Sequence, residues 1–205
     1  MASNSRQFTA DADLLRAGRH QLALNEWLSD CLDNPPAWTR DVTLGDLMRR
    51  TSGIAEGEGF SCSKAVDVPG TAKSYDEKDG SFTPHSSLWK QYGVGSVQTT
   101  PGELVRWADH HRTGRVGGTE LLAGVTDGAV SVGDVLSPRG IEEGRYGAGI
   151  LLLPDKSLVH RGDREGCHSA FKVSPDRNAA VTVVCNAEPP DNFRAANQLL
   201  DIWTT

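Results

Sequence analysis

Residues 159–186 read VHRGDREGCHSAFKVSPDRNAAVTVVCN. Two runs in this stretch, CHSAFKVS and AAVTVVCN, are short and β-like, and the clusters RGDREG and PDRN beside them are turn formers. Just upstream, YGAGILLL (146–153) and SLVH (157–160) have the same character and are parted by PDK. Short strands joined by tight turns pair with their sequence neighbours, so 146–186 is expected to form an antiparallel sheet. The string DNFRAANQLLDIW then predicts a closing amphipathic helix over 190–203, with Phe193, Ala196, Leu199, Leu200 and Trp203 on its apolar side.

Toward the N-terminus the signals become helical. Within GVGSVQTTPGELVRWADHH (93–111), Thr100-Pro101-Gly102-Glu103 places a capping threonine, a proline at the first helical position and a glutamate at the third. This predicts a helix over 100–112 that buries Leu104, Val105, Trp107 and Ala108. Before it, 55–92 holds GEGF, VPGT, DEKDGS and TPHSS, rich in turn formers and poor in periodic apolar residues, and is read as an irregular connection. The string VTLGDLMRRTSG (42–53) signals a helix capped by Thr43, with Asp46 reciprocating and Gly53 closing it. From Gln7 to Leu32 apolar residues recur at helical spacing interrupted by Gly18, which reads as two short helices around a turn. The helical segment thus covers 7–54, and 1–205 is read as a single domain long enough to bury a real core.

Composition narrows the functional classes. The chain is 38% hydrophobic and 23% charged, with a net charge of −6 and no long Lys/Arg run. Nucleic acid and anionic membrane both require a concentrated positive face, so neither is an expected partner, and a small-molecule substrate is. Cys31, Cys62, Cys167 and Cys185 lie far apart with no Cys-x-x-Cys pair, which speaks against a zinc ribbon or thioredoxin-like site and reads as free, buried thiols. No secretory apolar region follows the N-terminus and no apolar run approaches the ~18 residues of a membrane span, so a cytoplasmic location is expected. His160, Asp163, Cys167 and His168 are metal-ligating types, but a polar hairpin gathers such a set by accident; neither metal nor cofactor is expected.

Several ordered strings carry a resemblance. SNSRQFTA (3–10) resembles a segment bearing Ser-x-x-Lys followed by Gln-Phe-Thr-Ala, and VTLGDLMRRTSGI resembles a helix ending in His-Thr-Ser-Gly. GVGSVQTTPGELVRW, YGAGILLL and the stretch 159–186 are similar to a glycine-rich stretch with its helix, and to a strand bearing His-x-Gly or Lys-Thr-Gly with the hairpin beyond. In this order, over most of the chain, they resemble the serine hydrolase family of class C β-lactamases, D-alanyl-D-alanine peptidases and related esterases. The resemblance implies an α+β sandwich, a β-lactamase/penicillin-binding-protein-like antiparallel sheet flanked by helices. Against that family, the N-terminal strands have no counterpart here, nor does most of the helical subdomain with its Tyr-x-Asn motif, lost between Ile54 and Ala72. Tyr75 does not supply that motif, because the position two later is Glu77.

Residue by residue, Ser3 matches the family's nucleophile, Arg6 its lysine and His160-Arg161-Gly162 its strand motif. Tyr75, Gly95, Arg161 and Gly162 are implied as substrate-binding positions, and Ser5 is a second, lesser serine. A guanidinium stays protonated at physiological pH, so Arg6 cannot take the Ser3 proton, although its planar fork suits a carboxylate or oxyanion. His160, whose imidazole titrates near working pH, is the expected base. The resulting expectation is a hydrolase of a small ester, amide or lactam with Ser3 as nucleophile and a non-lysine base. The alternative is a degenerate relative that acts as a binding or scaffold protein, or as a non-hydrolytic cyclase or isomerase. Asp11 and Asp13 lie on the helix that the family buries, which implies a wet face there. His110 and His111 read as helix-end residues favourable with the dipole. Without its family neighbours the strand around 179–185 would be an open apolar edge, and a homodimer through that edge is expected.

Overall fold

The chain begins with a 3-10 turn at Ala2–Ser5 that runs straight into helix α1 (Arg6–Gly18). In this computed structural model, which describes residues 1–54, 62–64, 69–85, 89–91, 93–137, 140–164, 166–187 and 192–204, the break expected at Gly18 is the end of α1. A short helix α2 (Leu28–Cys31) follows, then α3 (Leu44–Arg49). The capping box of α3 is present: the Thr43 hydroxyl accepts from the Asp46 N–H at 3.1 Å, and the Asp46 carboxylate accepts from the Thr43 N–H at 2.9 Å. The helix closes at Arg50 rather than Gly53, because Arg50 itself takes the left-handed conformation (φ 61°).

The expected irregular connection is corrected by four strands. β1 (Cys62–Lys64) pairs antiparallel with β4 (Trp89–Gln91), and between them β2 (Ser74–Lys78) and β3 (Ser81–His85) form a hairpin. Asp79 and Gly80 at its tip both have positive φ, as a two-residue turn matching strand twist requires. The helix expected over 100–112 is two, α4 (Pro101–Ala108) and α5 (His110–Thr113), with Thr100 capping the first through the Glu103 N–H at 3.2 Å. Leu104 and Ala108 are buried as expected, but Val105 faces solvent. Helix α6 (Gly118–Thr126) leads into the main sheet.

That sheet has six strands: β5 (Val130–Ser137), β6 (Gly140–Tyr146), β7 (Leu151–Leu152), β8 (Leu158–Arg164), β9 (Cys167–Val173) and β10 (Ala180–Cys185). Each pairs antiparallel with its sequence neighbour in the order β10-β9-β8-β7-β6-β5, so the sheet starts sixteen residues before the expected 146 (146 − 130 = 16). Strand alternation fixes its two faces. Leu158, His160 and Gly162 share one face with their partners Val173, Phe171 and Ser169; Arg161 and Asp163 share the other with Ala170 and His168. Onto the first face pack α1, α4 and α6, in a core that includes Leu104, Leu121, Val125, Ile150, Leu158 and Phe171. Helix α7 (Asn192–Thr204) covers the second, where Lys172 Nζ donates to Asn197 Oδ1 at 2.6 Å. The result is an antiparallel sheet flanked by helices, the α+β sandwich of the expectation. Ala196 and Leu200 of α7 are buried, but Leu199 faces outward and Trp203 is 82% exposed, so its apolar side is narrower than expected.

Two further expectations are corrected. Of the two carboxylates on α1 read as marking a wet face, Asp13 is half-buried but Asp11 is dry, buried with its Oδ2 atom 3.3 Å from His110 Nε2. Phe8 and Trp107 (ring centroids 4.4 Å apart), His110 and His111 form the layer around it, so these histidines are core residues rather than helix-end decorations. The thiols are not uniformly buried, since Cys31 is exposed while Cys167 and Cys185 are partly covered. Among the described residues no helix is long and apolar enough to cross a membrane.

Candidate active site

β7 pairs with β8 at Leu158 and Val159, and beyond that point, among the described residues, β8 has a strand neighbour on the β9 side alone. A cleft of about 710 Å³ opens there, facing β5 and β6, and Ser3, Arg6, Arg50, Tyr146, His160 and Arg161 bring polar groups to it. That volume suits a small organic ligand.

Two glycines let the Ser3 segment reach the sheet. A Cβ on Gly162 would stand 2.8 Å from Ser3 N and collide with Met1 O, and one on Gly149, which has φ of 67°, would stand 2.6 Å from Arg6 O. A buried network then pins the turn: Asn4 Nδ2 donates to Ser169 Oγ at 2.8 Å, the Ser169 hydroxyl donates to Met1 O at 2.7 Å, and Gln7 Nε2 donates to Asn4 Oδ1 at 3.2 Å. Ser3 is left half-buried at the cleft. Ser5 is not at the cleft; it is fully buried, and its hydroxyl oxygen accepts from the Val97 N–H at 3.2 Å.

His160 is engaged at both ring nitrogens. Its Nδ1 lies 2.6 Å from the Arg161 carbonyl oxygen, which can only accept, so Nδ1 carries the proton in the neutral ring. Nε2 is then the acceptor, and the Tyr146 hydroxyl, 2.9 Å away, donates to it. Burial holds the His160 pKa down to about 4; the Arg161 carbonyl bond opposes this, and the Arg6 and Arg50 guanidiniums push the same way as burial. Burial raises the Tyr146 phenol above its ordinary range, with the same two guanidiniums opposing it. The pair is thus a neutral phenol hydrogen-bonded to a neutral imidazole, flanked by two cations. A direct Ser3–His160 pairing is corrected to this extent: the Nε2 lone pair is occupied by Tyr146.

The remaining expected residues are dispersed. Arg161 lies at the cleft with Nε 2.7 Å from Asp163 Oδ2 and its guanidinium over the Phe193 ring. Gly162 serves close packing against Met1 and Ser3. The structure does not bring Tyr75 or Gly95 to the cleft: Tyr75 is in β2, where its N–H donates to Asn186 O at 2.8 Å, and Gly95 is in a turn before α4. The metal-ligating types of 160–168 are split by the pleat, with His160 on one sheet face and Asp163 and His168 on the other, 3.1 Å apart. Among the described residues no three such side chains converge on a metal position. Sequence reasoning missed Tyr146 and Arg50. Tyr146 heads the quoted string YGAGILLL, but only the pairing of β6 through β7 to β8 brings it to His160.

No protein-family model matches the chain, and no curated protein sequence does either. Solved structures do match. A penicillin-binding protein from Bacillus halodurans has a TM-score of 0.71 at 17% identity, covering 98% of this chain and 84% of that one. The D-amino acid amidase from Ochrobactrum anthropi SV3, complexed with L-phenylalanine amide, has a TM-score of 0.70 at 15% identity, covering 98% of this chain and 81% of that one. A D-stereospecific amidohydrolase from Streptomyces sp. has a TM-score of 0.64 at 14% identity, covering 91% and 81%. At such identities the likeness is one of fold: the chain has the β-lactamase-like architecture of these penicillin-binding and amide-hydrolysing proteins.

Proposed function

We propose that this protein is a serine hydrolase of a small ester, amide or lactam, with Ser3 as nucleophile and Tyr146, backed by His160, as the group that takes its proton. The supporting observation is the Tyr146–His160 hydrogen bond at a cleft that also holds Ser3 and Arg6. The phenol donates its proton to His160 Nε2 and keeps a lone pair with which to accept the Ser3 O–H. As Ser3 Oγ bonds to the carbonyl carbon, its proton passes to the phenol oxygen and the phenol proton to Nε2, leaving an imidazolium bonded to the Arg161 carbonyl. Arg6 donates to the oxyanion. The leaving alcohol or amine recovers the proton by the reverse path, and water then cleaves the acyl-enzyme. Fold likeness to an amidase and an amidohydrolase agrees with this class of reaction.

Intact-mass spectrometry after exposure to a fluorophosphonate, and separately to a penicillin, tests the reading. One covalent adduct is expected, absent in Ser3→Ala and slower to form in Tyr146→Phe. No adduct after prolonged exposure overturns it. A binding protein without turnover is the second reading, favoured by the imidazole held near pKa 4 and by arginine in the lysine position, both of which oppose proton removal. We also propose that β10 pairs with a second copy, since it ends the sheet with the apolar run AVTVVC. Light scattering at micromolar concentration is expected to give twice 22.0 kDa, and a monomer mass overturns the pairing.

A further inference from the structure

The second face of the main sheet, under the start of α7, carries a row of polar side chains in register. Asp163 on β8 stands opposite His168 on β9, and His168 stands opposite Cys185 on β10. Side chains directly opposite on one sheet face have Cβ atoms about 4.5–5.5 Å apart, so each reaches its neighbour. The Asp163 carboxylate lies 3.1 Å from His168 Nδ1, and Arg161 Nε holds its other oxygen at 2.7 Å. An ionised carboxylate only accepts, so Nδ1 carries the ring proton and the neutral imidazole has its lone pair on Nε2. At the far end of the row the partly covered Cys185 thiol donates to Oδ1 of Asn192, the first residue of α7, at 3.0 Å. Asn192 is 8% exposed, and its Nδ2 has no acceptor among the described residues. Leaving a buried amide N–H unpaired is costly, and this one belongs to the amide already bonded to the Cys185 sulfur, where an oxygen bound to that sulfur would accept from it.

We propose that Cys185 is a redox-modification site, oxidised by a peroxide to a sulfenic acid whose oxygen accepts from Asn192 Nδ2, with His168 as the base for the thiol proton. The proton passes from Sγ to His168 Nε2, and the thiolate attacks one peroxide oxygen. The S–O bond forms as the O–O bond breaks; the sulfur loses two electrons, and the departing oxygen takes the proton from His168 and leaves as water or an alcohol. Asp163 holds the ring and stabilises the imidazolium. The Cys185 side chain faces α7 rather than the open edge of β10, so pairing along that edge leaves the site in place. Cys31 supplies the contrast. It is exposed, but desolvation and then the Glu26 and Asp30 carboxylates push its thiol up, so exposure does not make it the reactive one. The site is separate from Ser3 and does not depend on the hydrolase reading.

The test is brief exposure of the intact protein to hydrogen peroxide, trapping of sulfenic acid with dimedone, and peptide mapping by mass spectrometry. The adduct is expected to form at Cys185 about tenfold faster than at Cys31 or Cys167, a comparison within the wild-type chain that needs no variant to fold. His168→Gln is expected to slow oxidation at Cys185 about tenfold, the value of one charge-assisted hydrogen bond. In Asn192→Leu the sulfenic acid is expected to pass on to sulfinic acid several-fold faster, while alkylation of Cys185 by iodoacetamide, which puts no oxygen on the sulfur, keeps its wild-type rate. Faster adduct formation at Cys31 than at Cys185 overturns the site. An unchanged rate in His168→Gln overturns the base, and a sulfenic acid equally long-lived in Asn192→Leu overturns the role of the amide.

Discussion

His110 and His160 lie in the same molecule, both buried and each set against one partner, and the partners give them opposite characters. His110 and Asp11 are 3% and 4% exposed at their side chains, enclosed by Trp107 and His111, and neither lines the cleft. Their 3.3 Å approach lacks hydrogen-bond alignment, so Asp11 Oδ2 and His110 Nε2 remain without a donor–acceptor match. His160 has both ring nitrogens engaged, by the Arg161 carbonyl and the Tyr146 hydroxyl, and its neighbourhood opens onto a cleft with two guanidiniums. Burial by itself therefore does not mark a functional histidine. What distinguishes His160 is a satisfied hydrogen-bond chain that ends at a ligand-sized space.

The largest expected effect breaks the enclosed pair. Asp11→Ala removes the buried carboxylate 3.3 Å from His110 and is expected to destabilise the fold by about 3–5 kcal/mol in urea unfolding. Because the pair is imperfectly bonded, Asp11→Leu combined with His110→Leu should recover most of that loss. A loss below about 1 kcal/mol in the single variant would remove the contrast between the two sites.

Acid comes next in size. Burial holds His160 at about 4 and His111 at about 3, against an ordinary imidazole near 6.5. Between pH 6.5 and 4 the unfolded chain binds protons at these positions and the folded chain does not, so stability rises with pH through that window and falls on acidification. The expected fall is on the order of a few kcal/mol, and His160→Gln should have the shallower slope in unfolding measured across that range. Equal slopes would show that His160 takes up its proton as readily folded as unfolded.

Gly162→Ala addresses how Ser3 reaches the cleft. The added methyl meets backbone of Met1 and Ser3, and a loss of about 1–3 kcal/mol with slower fluorophosphonate labelling is expected. Gly18→Ala, where the methyl meets nothing within 4 Å, is the control and should leave labelling unchanged. The smallest effect on stability belongs to Tyr146→Phe, about 1 kcal/mol for the lost hydrogen bond to His160, but its labelling rate should fall most among variants that retain Ser3. Normal labelling in Tyr146→Phe would return the proton-accepting role to another group.

The features legible in advance were those with local causes. The caps at Thr43 and Thr100 are made by a residue and its neighbour three positions on, so four letters suffice to specify them. The turns between β8, β9 and β10 announce themselves by composition for the same reason. The β5–β6 hairpin escaped notice because GIEEGRY is polar and glycine-rich, and a strand that is not packed on both faces need not look like one. Asp79-Gly80 did carry a hairpin signal, masked by the turn-rich sequence around it.

The sequence alone determined the antiparallel meander, the caps at Thr43 and Thr100, and the placing of Ser3 and Arg6 three residues apart. These follow from residue identity and from contacts between near neighbours. Only the tertiary structure decided that Asp11 lies dry against His110, that Tyr146 occupies His160 and that Arg50 reaches the cleft. Each of those depends on strand register or on packing between distant segments, where a shift of one residue turns a side chain to the opposite face and the sequence carries no local mark of the partner.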